Sequence, residues 1–318
     1  MATFIVRRVL QMIPVFLGTI FILYLAVFGL GDPISGRCGE RPCQPGYIAK
    51  FTEEYNLDQP LPIQYLLYVG KLLQGDLGTN FYGNEVAHEL AIRYPTTIKL
   101  TVIAITCEVI IGITAGVLAG IRKGRFLDNL VLVSTLFVIS IPVFVIGTVS
   151  QLVFGIRLGF LWEMIFGPKS GFFSPTATEG TWAQLLLPGF VLGTLSVAFV
   201  SRLTRASLVE NLRADYVRTG RAKGLTQRRV IGVHTLRNSL IPVVTFVGTD
   251  IGTLMGGAVV TERIFNINGI GGFIFRSVNQ KDGVSVVGAV VVLVLVYLIM
   301  NLIVDILYGV LDPRIGHG

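Results

Sequence analysis

Charge is scarce in this chain. Only 14% of its 318 residues are Asp, Glu, Lys or Arg, where a soluble domain carries roughly 25%. With 52% hydrophobic residues and a mean hydropathy of +0.71, a water-soluble fold is excluded. The alternation of apolar and polar residues over ~10-residue segments that builds a membrane barrel is missing as well. The three histidines, His88, His234 and His317, stand far apart and form no metal cluster. No G-x-x-x-x-G-K-[ST] is present, so the chain cannot cradle ATP phosphates itself. No nucleophile and base appear together in a motif context. The chain is therefore not an enzyme alone, and a membrane-embedded protease is set aside.

What the sequence does have is apolar blocks long enough to cross a hydrocarbon core, which takes about 20 residues per helix. Six are predicted, at 9–30, 99–121, 129–155, 184–205, 240–261 and 284–309. The fold class is all-α and polytopic. Arg7 and Arg8 before the first block imitate a signal peptide. Its apolar run exceeds the about 7–15 residues of an h-region and no small-residue cleavage site follows, so it reads as a retained helix.

Basic residues orient the bundle. Arg7 and Arg8 precede the first span, Arg122, Lys123 and Arg125 follow the second, and Arg202 to Arg237 crowd the region between the fourth and fifth. By the positive-inside rule these segments, and both termini, face the cytoplasm. Region 31–98 holds more acids than bases, as suits the outside. The net charge of +7 thus reflects orientation. Nucleic-acid binding is disfavoured, since the basic residues lack interleaved stacking aromatics.

The chain divides into an N-terminal segment with the first helix (1–30), an extracytoplasmic segment (31–98) and a five-helix core (99–318) containing a cytoplasmic loop at 206–239. The outer segment has too little apolar content to fold alone and is expected to pack over the mouth of the bundle. A second external stretch, 156–183, carries interfacial aromatics such as Trp162 and Trp182. Among three cysteines, Cys107 lies in the second span as a small hydrophobe. Cys38 and Cys43, in CGERPC outside, are candidates for a disulfide; a zinc site is the alternative, disfavoured because no further Cys or His lies nearby.

The stretch from Asp215 to Thr245 is the most informative. Leu208, Leu212 and Tyr216 recur at i, i+4 and i+8, which predicts an amphipathic helix. Gly224 is placed to end it in the left-handed conformation that glycine adopts cheaply. Thr226 can cap a second helix over 227–238, and Pro242 tolerates or kinks the start of the fifth span.

This loop resembles the cytoplasmic signature of ABC importer permease subunits, in which a Glu-Ala-Ala triplet precedes a glycine and a hydrophobic-x-Leu-Pro element follows. The sequence departs from that pattern at Glu and Pro: Arg218, Thr219 and Gly220 stand at the triplet. It is similar to the peptide-permease version, close to YVRTARAKGL followed by H-x-LRN-x-L-x-P, at Tyr216–Leu225 and His234–Pro242. FIVRRVLQMIPVFLG at the start, LDQPLPIQY, LLQGDLGTNF, RYPTTIKL and GGAVVTERIFNINGIG extend the likeness to the B-type subunit of dipeptide and oligopeptide permeases along the whole chain.

The resemblance implies a type I ABC importer permease fold in a bacterial plasma membrane, surrounded by lipid and paired with a homologous C-type permease. It further implies two ATP-binding subunits, which would hold ATP and magnesium while this chain binds no cofactor, and an extracytoplasmic peptide-binding protein. Leu212, Tyr216, Arg218, Arg221, Ala222, Lys223 and Gly224 would form the ATPase-coupling element; the alternative is a solvated basic face that only fixes topology. Nickel and glutathione permeases are related, so these substrates stand as alternatives to peptides.

Few charges lie inside the spans. Glu108, Asp250 and Asp305 are the embedded acids, and such a carboxylate usually faces a cavity or a partner. Asp250, among small residues, is a candidate for the translocation pathway with Thr249 and Thr253; the alternative is a hydrogen bond within the bundle. An ion-coupled secondary transporter using Asp250 or Glu108 would need an inverted repeat, which the two halves do not display.

Overall fold

The computed structural model describes residues 2–31, 34, 43–80, 82–167 and 171–311. Among them the only extended pairing is a single bridge between Thr79 and Glu85; the rest is helix, turn and loop. Four helices are long and apolar enough to cross a membrane, and two bent pairs bring the number to six if each pair crosses once.

In chain order the helices are α1 (Ala2–Tyr24), α2 (Pro45–Tyr55), α3 (Leu61–Leu73), α4 (Val86–Ile121), α5 (Phe126–Ser140), α6 (Val143–Ser150), α7 (Gly159–Phe166) and α8 (Leu186–Asn211). Then follow α9 (Asp215–Ala222), α10 (Gln227–Ser239), α11 (Ile241–Gly257), α12 (Val259–Ile264), α13 (Ile270–Asn279) and α14 (Gly283–Leu311).

Several predicted spans differ from the observed helices. The second span starts at Val86 rather than 99, because RYPTTIKL continues the helix outward. The block at 129–155 is not one straight helix: α5 and the run Val143–Arg157 meet at 101°. Pro142 disfavours a helical residue before it, and Ile141 is extended (φ −99°, ψ 128°). The fourth span runs on to Asn211, so Leu208 belongs to α8 and the predicted helix through Leu208, Leu212 and Tyr216 is broken. The Asn211 side chain donates to the Ser207 carbonyl (2.9 Å), one of the backbone bonds with which Asn competes against helix propagation. Ala214 is then extended before α9 begins.

The chain forms two compact units, Met1–Thr97 with Asn268–Gly318, and Ile98–Ile267. In the first, α2 and α3 are held to α1 by aromatic rings. Tyr24 stacks on Phe28 with ring centroids 4.6 Å apart, Phe28 meets Tyr55, and Tyr55 meets Phe51. Tyr65 donates its hydroxyl to the Leu17 carbonyl (2.7 Å). Burial raises the pKa of the Tyr68 hydroxyl beside them. Tyr24, Ile20, Val284, Val287 and Val291 fill the core between α1 and α14. Arg8 pairs with Asp305 (3.2 Å), which brings the start of α1 and the end of α14 to the same end of this unit. The Cys38–Cys43 pairing falls on Cys38, outside the described residues; Cys107 is a free thiol.

In the second unit, α8 is the central helix. Gly112, Gly116 and Gly120 form an i, i+4, i+8 stripe on α4 that admits it closely. A Cβ on Gly116 would stand 2.5 Å from the Ser201 carbonyl oxygen, and one on Gly112 2.7 Å from a Val200 methyl. Small residues at a crossing let backbones approach where no hydrophobic force separates helix from lipid. Leu100, Ile103, Leu185, Leu187, Val191 and Phe265 complete the core.

Candidate functional site

Two places in the second unit gather the residues singled out above: the turn around α9, and a cavity beside α8 and α11.

Asp215, an acid in the first turn, suits the positive end of the α9 dipole. At the other end, the Gly224 N–H donates to the Arg221 carbonyl (3.0 Å) and the Leu225 N–H to the Gly220 carbonyl (3.2 Å). That is the Schellman arrangement, and Gly224 takes the left-handed conformation it requires, with φ +77°. The Leu225 and Val230 side chains stand over Gly220, where an added Cβ would lie 3.6 and 3.7 Å from them. Val217, 1% exposed, is the anchor of α9. The predicted cap at Thr226 is different in kind: its backbone is extended, but its side chain makes no capping hydrogen bond.

Around this corner, Tyr216, Arg218, Arg221, Ala222, Lys223 and Gly224 are exposed, while Leu212 is half-buried in the turn before α9. Tyr216 donates its hydroxyl to Asn211 Oδ1 (3.2 Å). Arg218 meets Asp215 at 3.6 Å, both largely in solvent, a pair worth about 0–1 kcal/mol. The cationic side chains therefore stay available to another surface. A joint that sequence reasoning missed holds α8 just before this turn. Arg205 forms a two-point ion pair with Asp128, its Nη2 donating to Oδ2 at 2.8 Å, and the Gly124 N–H donates to the same oxygen (2.8 Å).

The cavity has a volume of about 400 Å³ and is lined by Ser196, Phe199, Phe246, Asp250, Thr253 and Thr261, among others. Small-molecule pockets span about 300–1,000 Å³. Asp250 is half-buried, and Ser196 donates its hydroxyl to Oδ2 at 2.6 Å. Thr253 shares the wall. Thr249 does not; its hydroxyl returns to the Phe246 carbonyl (2.9 Å). Behind Asp250 lies Glu108, with 0% exposure and its carboxyl within hydrogen-bonding reach of the Asp250 carboxyl. Asp250 is its electrostatic neighbour. Glu108 sits at the start of a π-helical turn, Glu108–Gly112, a feature common at functional positions.

Comparison with known proteins decides the family. Residues 112–317 match the binding-protein-dependent transport system inner membrane component, and residues 1–101 match the N-terminal region of such membrane components. The chain belongs to this family. It is a multi-pass component of a bacterial inner membrane. It is 38% identical over 336 residues to the di/tripeptide transport system permease protein DppB of Pseudomonas aeruginosa, covering 100% of this chain and 99% of that protein. It is 36% identical over 337 residues to the dipeptide transport system permease protein DppB of Escherichia coli K12, covering 100% and 99%. Against the glutathione transport system permease protein GsiC of Pectobacterium atrosepticum it is 34% identical over 319 residues, with 100% of each chain covered.

Proposed function

We propose that this chain is the transmembrane permease subunit of an ABC importer for short peptides. It crosses the membrane six times with both termini in the cytoplasm, and pairs with a homologous permease to enclose the pathway. Two ATP-binding subunits dock inside, and an extracytoplasmic binding protein delivers the substrate. The full-length likeness to di/tripeptide and dipeptide permeases favours peptides over nickel, and the 38% and 36% identities against 34% favour them over glutathione.

The observation that carries the coupling role is the construction of α9. Its apolar anchor, Val217, is buried, its cations are exposed, and its end is fixed by the Gly224 corner. A solvated face serving topology alone needs the charges but not the corner. As the coupling element, α9 sits in a groove of an ATP-binding subunit, with Arg218, Arg221 and Lys223 against acidic groups. Closure of the ATPases then moves α9 as a lever on α8, which the Arg205–Asp128 joint ties to the cytoplasmic turn before α5. Asp250 and Thr253 face the substrate pathway.

Affinity purification of the chain from its native membrane, followed by mass spectrometry, tests the assembly. A second permease and ATPases carrying phosphate-binding loops are expected to accompany it. A chain recovered alone that transports without ATP would overturn the proposal.

A further inference from the structure

Asp250 has no cation of its own among the described residues. Among the described residues neither it nor Glu108 is paired with a Lys or Arg; the only groups that bear on Asp250 are Ser196 and Glu108. A carboxylate held at membrane depth is costly unless a partner, a cavity or a ligand compensates it. Here it lines a cavity of about 400 Å³, with Ser196 donating to one of its oxygens and the Glu108 carboxyl as its other neighbour. Phe199 and Phe246 stand on the same wall with ring centroids 6.0 Å apart. Aromatic faces attract an ammonium within about 6 Å, and they also receive an apolar side chain. A carboxylate, two aromatic rings and the Thr253 hydroxyl in one apolar cavity suit a small organic cation with a hydrophobic neighbour.

We propose that this cavity is a passage site for the free α-ammonium group of the transported peptide. Asp250, hydrogen-bonded to the buried Glu108 carboxyl, supplies the counter-charge, and the Phe199–Phe246 pair takes an adjoining apolar or aromatic side chain. The proposal rests on the peptide-permease reading and adds a chemical requirement to it: an unblocked amino terminus is recognised in the membrane as well as outside it. A charge that meets the peptide only in transit also agrees with a single, half-exposed carboxylate, since a site must release what it binds.

A photoreactive dipeptide, L-alanyl-p-benzoyl-L-phenylalanine, and its N-acetyl derivative test this on the purified full complex, added without the binding protein. Crosslinks are mapped by mass spectrometry. The free amine is expected to label segments 192–199 and 246–254 at least tenfold more than the acetylated probe. Asp250→Asn should abolish that preference, and Asp250→Glu should retain most of it. Equal labelling by the two probes, labelling elsewhere only, or an unchanged preference in Asp250→Asn would overturn the inference. Gly224→Pro serves as the control, because it should stop uptake while leaving the labelling preference intact. If the native complex imports dipeptides but the cavity is not labelled, the passage site alone fails. If the complex imports no peptide at all, the underlying permease reading fails.

Discussion

Substitution of Gly224 separates the coupling account from a purely topological one. A Cβ at this position would meet no atom within 4 Å, so its cost is backbone strain and nothing else. At φ +77° an ordinary L-residue loses about 1–2 kcal/mol, which is a factor of about 5–30 in an equilibrium. Gly224→Ala should therefore raise the concentration of ATPase subunit needed for half-maximal substrate-stimulated hydrolysis by that factor. Asn tolerates the left-handed region, so Gly224→Asn should lie between glycine and alanine. Proline fixes φ near −65° and lacks the N–H that donates to Arg221; Gly224→Pro should abolish stimulated hydrolysis while the two permeases still assemble. The assay is a titration of ATPase subunit into the reconstituted permease pair with loaded binding protein. Identical curves for glycine, alanine and proline would show that the corner plays no part in coupling, and an asparagine variant worse than alanine would exclude backbone strain as the cause.

Three further outcomes follow from the packing. Asp128→Ala leaves the Arg205 guanidinium, whose side chain is 20% exposed, without its partner. Breaking a pair costs about 0–1 kcal/mol at the surface and about 3–5 kcal/mol when fully buried; this part-exposed one lies between, so thermal unfolding in detergent should move downward, and the exchange Asp128→Arg with Arg205→Asp should recover part of the loss. Gly116→Val drives a branched side chain into backbone 2.5 Å away; overpacking of about 1–3 kcal/mol or more should lower stability in the same measurement, and Gly116→Ala should do so less. Val217→Ala removes two methyl groups from a site 1% exposed, about 1.6 kcal/mol by transfer alone. It should loosen α9 and depress stimulated hydrolysis without reducing the amount of assembled complex.

The membrane class and the crossing segments are legible in composition because the bilayer imposes one length and one polarity on every span. Helix ends are not, since hydropathy cannot see where an amphipathic turn continues a span into water. Val86 and Asn211 are the examples: RYPTTIKL and the ASLVEN run after Arg205 mix polar with apolar residues, yet both stay helical. Pro142 carries a signal for the bend at Ile141, but an apolar run on either side hides it from a window average. At the loop, Gly224 is readable because its role is local, a positive φ at a helix end. Val217 as the anchor, in place of the Leu208–Leu212–Tyr216 stripe, depends on the break at Asn211, which a regular period cannot express. The cavity is split in the same way. Asp250 stands out as a charge in an apolar run, whereas Ser196, Phe199 and Phe246 join it only through the packing of α8 against α11. Asp128 and Arg205, 77 positions apart in sequence, have no local mark at all.

On the proposed function, hydrolysis of ATP on partner subunits drives peptide uptake through this chain by way of α9. The decisive assay is import of a radiolabelled dipeptide into proteoliposomes holding the complete complex and its binding protein. Uptake should require hydrolysable ATP, persist when a protonophore removes any gradient, and disappear with Gly224→Pro. Uptake by the chain alone under a proton gradient, without ATP and indifferent to Gly224→Pro, would contradict it.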